Sequence, residues 1–278
     1  MSTPLSGAGL VLKNGTGSST VTSAAGYTGA FAVNAGTLVL QNTLGAAAFS
    51  ANSGGTLRFD AATVNLGNSA IRAGGAAEYH NTTVNGGFLR GSGTHTLLGD
   101  VTNTFNGVTT FNGTNIVQSG TVSFNNFTNG GTLTSNANAS LNFDGVTNTS
   151  SGAIIVNSSL IAQDFSNNGL FTINNGGSLD NGANDLVSGG GSRSTINAGG
   201  VVFLSDGTAW ELNGALLVNN GEVNGTVDVN YGSLAKGGGN FAGLVNVNDG
   251  GKFSPGNSPG SATLGAANFG AGGGYSSR

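Results

Sequence analysis

The chain contains no cysteine, and that one absence removes disulfides, thiolate metal sites and cysteine nucleophiles together. Charge is nearly as scarce. Asp, Glu, Lys and Arg make up 7% of the sequence, with 8 basic and 12 acidic residues and a net charge of −4, where an ordinary globular chain carries roughly 25%. No basic patch is present, so nucleic acid and anionic membranes are poor partners. No run approaches 18 consecutive apolar residues, so no segment crosses a membrane as a helix. Met1–Thr20 lacks both the basic start and the apolar core of a secretion signal. Met1-Ser2 reads as an added start, on a piece of a longer protein or a chain whose signal has been removed. Helix formers such as Glu, Lys and Gln are rare, and the only short helix candidate is Leu44–Phe49.

What is abundant is glycine, 52 of 278 residues, together with Asn, Thr and Ser. Such a composition suits disorder, but 37% of the chain is hydrophobic. Those residues return in short β-forming runs such as Ile154–Val156 and Val201–Leu204, which argues for order. One unit recurs: β-formers, an Asn/Gly corner, β-formers again. Its cleanest copy is FTINNGGSL at Phe171–Leu179, with relatives at Phe31–Val39, Ala51–Phe59, Ser194–Phe203 and Val245–Phe253. The last glycine of each corner marks the period: Gly36, Gly55, Gly75, Gly93, Gly113, Gly131, Gly152, Gly177, Gly200, Gly221 and Gly251. A sustained strand-and-turn period near 20 predicts a β-solenoid, each coil packed on its neighbours. About 13 coils stacked roughly 4.8 Å apart make a rod roughly 60 Å long.

The predicted fold is therefore all-β, a parallel β-helix with about 20 residues per rung. One domain spans 1–265, followed by a flexible Gly/Ser-rich tail at 266–278. Along Ser119–Phe143, Val122, Phe124 and Phe127 are expected to point inward, with Asn125, Asn126 and Asn129 at corners and Leu133, Leu141 and Phe143 in the next inward set. Corners use Gly and Asn because bends often need positive φ. Asn174, Asn197 and Asn219 are the candidates for an amide ladder between coils. The 15 Phe are expected as core filling, and Trp210 as a packing residue rather than a sugar platform.

Near the C-terminus, Gly250–Leu264 reads GGKFSPGNSPGSATL. It closely resembles the G-x-(L/F)-x-PGNSPG-x-L element of bacterial autotransporter passenger regions and related large surface proteins. The preceding GGNFAGLVNVNDGGKF has the same character. The sharp motif is confined to this one stretch, and the looser repeat character covers most of the chain. The resemblance implies a right-handed parallel β-helix, exported and displayed on or released from a bacterial surface. Members of that class are commonly adhesins or stalks, and a minority carry enzymes. The membrane barrel that follows an autotransporter passenger has no counterpart here, which implies a passenger fragment or a protein anchored another way. The prolines of the PGNSPG turn are expected to lie outside strand pairing.

No chemistry-bearing constellation emerges. The acids are scattered; Asp206 and Asp228, 22 residues apart and so near one rung, are a pair that stacking could align. His80 and His95 have neither metal spacing nor a Ser or acid partner, and both read as surface residues. Asn181–Gly190 resembles one turn of the calcium-binding nonapeptide repeat, but a site needs consecutive turns to share ligands, so no metal is assigned to Asp185. Thr-x-Thr pairs at Thr20/Thr22, Thr94/Thr96, Thr102/Thr104, Thr132/Thr134 and Thr147/Thr149 read as ordinary β-propensity. Catalytic, cofactor and metal residues are accordingly expected to be none. The expected function is a non-enzymatic extracellular surface scaffold or stalk in adhesion, matrix or filament formation. Its expected partners are further copies stacked end to end and a host or matrix glycan or protein. A polysaccharide lyase or hydrolase, and a glycan- or ice-binding module, are the alternatives.

Overall fold

The structure, a computed structural model, describes residues 5–45, 48–99, 102–110, 112–256 and 260–275. Among these there is no helix, and strands follow one another from end to end. The parallel strands stack as a β-solenoid of about 14 turns of roughly 19 residues. Two compact units divide it, residues 1–140 and 141–278. The helix considered at Leu44–Phe49 is not formed: Leu44 ends the strand Gly36–Leu44 and Ala48 opens Ala48–Ala51, with 46–47 outside the described residues.

In the first unit the strands pair in three parallel ladders. One runs through Ser18–Val21, the start of Gly36–Leu44, the start of Gly55–Ala73, Ala76–His80, Thr94–Leu98, Thr114–Val117 and Thr132–Ser135. The longest strand, Gly55–Ala73, shows how one stretch serves all three. Leu57 and Phe59 point inward on the first ladder, Ala62, Val64 and Leu66 on the second, Ile71 and Ala73 on the third. The chain turns between ladders at Ala61 (φ 49°) and Gly67 (φ 55°). Positive φ costs a non-glycine residue about 1–2 kcal/mol; here the two neighbouring strands it connects are both in register with the coil beneath. The second unit repeats the scheme, for example through Ala153–Val156, Leu170–Ile173, Arg193–Ile196 and Leu216–Asn219.

The predicted corner is a defined turn. In Asn52-Ser53-Gly54-Gly55, Asn174-Asn175-Gly176-Gly177, Asn197-Ala198-Gly199-Gly200 and Asn248-Asp249-Gly250-Gly251, the last N–H donates to the first carbonyl at 2.8–2.9 Å. The third position has φ between 72° and 87°, as a type II turn requires. The marker glycine itself is needed for another reason. A Cβ on Gly177 would stand 2.5 Å from the carbonyl oxygen of Val156, and one on Gly251 2.1 Å from that of Val229. One glycine supplies the turn and the next lets two coils approach.

Aromatic rings fill the interior. In the first unit Phe31, Phe49, Phe59, Tyr79, Phe105 and Phe124 form a file with successive ring centroids 5.3–5.6 Å apart. In the second unit Phe143, Phe165, Phe171 and Trp210 follow one another at 5.1–6.4 Å. The inward set expected from Ser119–Phe143 is buried in full, Val122, Phe124, Phe127, Leu133, Leu141 and Phe143 alike. Asn126 is a corner with φ 50°. Asn129 is not: it is a buried strand end whose amide oxygen accepts from Thr110 Oγ1 at 2.9 Å.

The coil pattern runs on past residue 265. Residues 266–269 pair in register with 244–247, and Gly274–Tyr275 with Lys252–Phe253. Pro255 ends the strand Lys252–Pro255 opposite Gly237, so it sits within the register, at the one strand end where a missing donor is tolerated. Gly256 N–H bonds to the Gly237 carbonyl. The rest of that turn, 257–259, lies outside the described residues.

Candidate functional site

Amide ladders are the first surface feature. Asn85, Asn106 and Asn125 each donate Nδ2–H to Oδ1 of the Asn one coil earlier, at 2.8 Å, beginning from Asn65. A second ladder joins Asn157, Asn174 and Asn197 at 2.7 Å, which places two of the three Asn expected to ladder. The third, Asn219, is buried at the end of Leu216–Asn219 and donates to the Asn240 carbonyl instead. Its inward position follows from alternation with Leu217.

Hydroxyls accompany the first ladder. Thr63, Thr83, Thr104 and Ser123 stack in register, each two residues before a ladder Asn. The sequence shows this as TVN, TVN, TFN and SFN at intervals of 20, 21 and 19. This regular outward array is Thr-x-Asn, and reading for Thr-x-Thr missed it. Of the Thr-x-Thr pairs, Thr94/Thr96 and Thr132/Thr134 share a ladder, but Ile116 stands between Thr96 and Thr134, and Glu78 and Arg58 precede them.

The two histidines part company. His80 faces outward beside Glu78, Nε2 to carboxylate 3.6 Å. With Arg58 and Asp60 they form a two-by-two array, Arg58 opposite Glu78 and Asp60 opposite His80, with Arg58 and Asp60 3.7 Å apart. His95, expected at the surface, is buried. In THTLL, Thr94 and Thr96 take the outward positions and His95 and Leu97 the inward ones. Tyr79 O–H lies 2.8 Å from His95 Nδ1, and His95 Nε2 lies 3.3 Å from the Arg90 carbonyl. A carbonyl only accepts, so Nε2 carries the proton and Nδ1 accepts from Tyr79. Burial holds the His95 pKa down, to about 4, with the Arg90 carbonyl opposing the shift. Burial also pushes the Tyr79 hydroxyl well above its usual range.

The remaining candidates are structural. Asp228 aligns with Glu211 rather than Asp206, and its Oδ1 accepts from Asn246 Nδ2 at 2.7 Å. Asp185 accepts the Ala209 N–H at 2.7 Å across a corner. No group of three or more His, Asp or Glu converges as a metal site would require among the described residues. Trp210 is buried, and its Nε1–H donates to Ser188 Oγ at 2.9 Å, as expected of a packing residue.

One face of the first unit is concave. Arg72 and Arg90 stand in register on adjacent strands and, with Gly91 and Asn112, line a hollow of about 420 Å³. A second hollow of about 240 Å³ shares both arginines and adds Asn68, Ser69 and Phe88. The Arg90 guanidinium lies over the Phe88 ring, 4.6 Å from its centroid.

No protein-family model matches the chain, and no curated protein matches it. Among solved structures it is similar to the crystal structure of a TibC-catalyzed hyper-glycosylated TibA fragment. The TM-score is 0.36 and the identity 18%, over 97% of this chain and 96% of that one. No described helix is long and apolar enough to cross a membrane.

Proposed function

We propose that the chain is a non-enzymatic extracellular surface β-solenoid of bacterial origin, a scaffold or stalk serving adhesion, matrix or filament formation. The observation that carries this reading is that asparagine amides bond coil to coil in repeated ladders. Amide ladders run along the outside, serine and threonine hydroxyls cap corners, and Asp60, Asp185 and Asp228 bond to an arginine, a backbone N–H and an asparagine amide. The PGNSPG-like turn supports the bacterial surface setting. No observation favours the lyase or hydrolase alternative, whose acids and base must converge on one groove.

The reading extends to assembly. In the first described coil Leu10–Lys13 is paired on one side only among the described residues, and Leu10 and Leu12 are exposed. In the last, Phe269 and Tyr275 are exposed in strands paired on one side. Open edges of this kind accept a further coil, from the same chain or a second copy. Immunogold labelling of intact producing cells tests the surface setting; label confined to the cytoplasm refutes it. Electron microscopy over a concentration series tests assembly: fibres lengthening with concentration support it, and single particles throughout refute it.

A further inference from the structure

We infer that the second unit binds a second copy of this chain side by side, one outward sheet face against a different outward face of its neighbour. Among the described residues of this unit the basic side chains are Arg193, Lys236 and Lys252. All three stand on the ladder through Leu170–Ile173, Arg193–Ile196, Leu216–Asn219, Leu234–Gly237 and Lys252–Pro255, whose strands hold no acid. A second ladder runs through the start of Ser159–Asn167, Ser178–Asp180, Val201–Phe203 and Glu222–Asn224. It carries Asp180 and Glu222 and no base. Both faces also expose large apolar side chains: Leu170 is 54% exposed on the basic one, Ile161 41% and Phe203 49% on the acidic one. Among the described residues, none of Arg193, Lys236, Asp180 and Glu222 forms an ion pair within its own chain.

The two faces match in order as well as in sign. On four successive coils the basic face presents Leu170, Arg193, Leu216 and Lys236. On four successive coils the acidic face presents Ile161, Asp180, Phe203 and Glu222. Both series read apolar, charged, apolar, charged, with opposite signs at the charged steps. Every coil of every copy rises by the same roughly 4.8 Å, so a shift of one coil between copies aligns all four pairs together. The position along the strand agrees too. Copies with parallel axes coil in the same sense, so their strands run in opposite directions where they touch. The first outward residue of one strand then faces the last outward residue of the other. Leu170, Arg193 and Leu216 are first in their strands, and Ile161, Asp180 and Phe203 are last in theirs. At the fourth pair both series step aside together: Lys236 lies two residues after Leu234, and Glu222 two residues before Asn224.

The contact joins two different faces, so each copy keeps one of each free and the arrangement repeats without closing. Four coils make a patch roughly 20 Å tall, well short of the roughly 800 Å² per partner of a stable dimer. One contact is therefore weak and reversible, and copies held close together multiply it. Charge complementarity sets the register, and the apolar pairs supply the burial. This lateral contact deepens the scaffold reading but uses none of the strand edges on which end-to-end stacking rests.

The chain has no cysteine, so single cysteines report the contact directly. Packed sheet faces lie about 10 Å apart, within reach of a short bismaleimide. Leu170→Cys mixed with Ile161→Cys at high protein concentration should give a cross-linked dimer. Leu170→Cys mixed with Asn240→Cys, on the acidic ladder but roughly 19 Å from Ile161 along the axis, should give almost none. Adding Arg193→Glu to the Leu170→Cys protein should cut the yield about fivefold or more. Adding Asp180→Arg to the Ile161→Cys partner should then restore it, which a merely misfolded variant cannot do. In the unsubstituted protein, methyl resonances of Leu170 and Ile161 should shift together on concentration and return in high salt, with no variant required to fold. Equal cross-linking by the two mixtures, failure of the charge swap to restore the yield, or resonances unmoved by concentration overturns the proposal. Any of these leaves the scaffold reading standing, because that rests on surface labelling.

Discussion

Lowering the pH from 7.5 to 4.5 should remove about 2.5 kcal/mol of stability through His95 alone. The folded protein holds this imidazole neutral, with its pKa down at about 4, whereas the unfolded chain returns it to 6.5. Above pH 6.5 neither state is protonated and nothing is lost. Below it the unfolded state takes up the proton first, so stability falls by about 1.4 kcal/mol per pH unit until the folded state also protonates near pH 4. Integrating that difference between pH 7.5 and 4.5 yields the figure of about 2.5 kcal/mol, and the full loss below pH 4 is about 3 kcal/mol. Urea unfolding at pH 4.5, 5.5, 6.5 and 7.5 measures it, for the unsubstituted protein and for His95→Gln, which keeps an acceptor for the Tyr79 hydroxyl. The variant should be less stable at pH 7.5, and its pH dependence should be shallower by the stated amount. All other groups are common to the two proteins and cancel in the difference. A stability difference between the two proteins that stays constant across this window would refute the buried neutral histidine.

Two further substitutions probe the corner and the core. Gly177→Ala places a methyl against the Val156 carbonyl and should cost about 3 kcal/mol as overpacking that backbone must absorb. Gly176→Ala, with φ 78° and open space around its Cβ, should cost only about 1–2 kcal/mol of left-handed strain; the reverse order in urea unfolding would contradict the division of labour between the two glycines. Phe105→Ala removes a fully buried ring between Tyr79 and Phe124 and should cost about 3–5 kcal/mol, read from the same unfolding curves; a loss under about 1 kcal/mol would mean that the coils collapse around the gap.

Much of the architecture was legible because it is periodic. A coil that pairs in register with the next repeats its corner at a nearly constant interval, and the Asn-x-Gly-Gly turns display that interval openly. Burial was legible wherever a bulky residue alternated with polar ones, as at Val122, Phe124 and Leu133. The misplacements share one cause. His95, Asn129 and Asn219 are polar residues at inward positions, and identity alone assigned them to the surface or a corner. Reading the flanking residues, Thr94, Thr96 and Leu97 around His95, places them correctly. The Thr-x-Asn array was visible in the sequence too, but only to a search at the coil interval rather than for one expected tripeptide.

What the sequence by itself determined is the kind of object: short strands, glycine corners and a period near 20, because strand alternation and turn chemistry are local. What the tertiary structure alone decided is which residues of different coils meet. Successive coils differ in length: Ala153 pairs with Leu170, but Leu170 in turn pairs with Arg193, a visibly longer step. The partner of a given residue therefore follows from where each corner closes and where a bulge takes up slack, not from counting. That is why Arg72 faces Arg90, Asp228 faces Glu211 rather than Asp206, and Tyr79 meets His95: each pairing depends on the summed register of two coils, a quantity settled only when they pack.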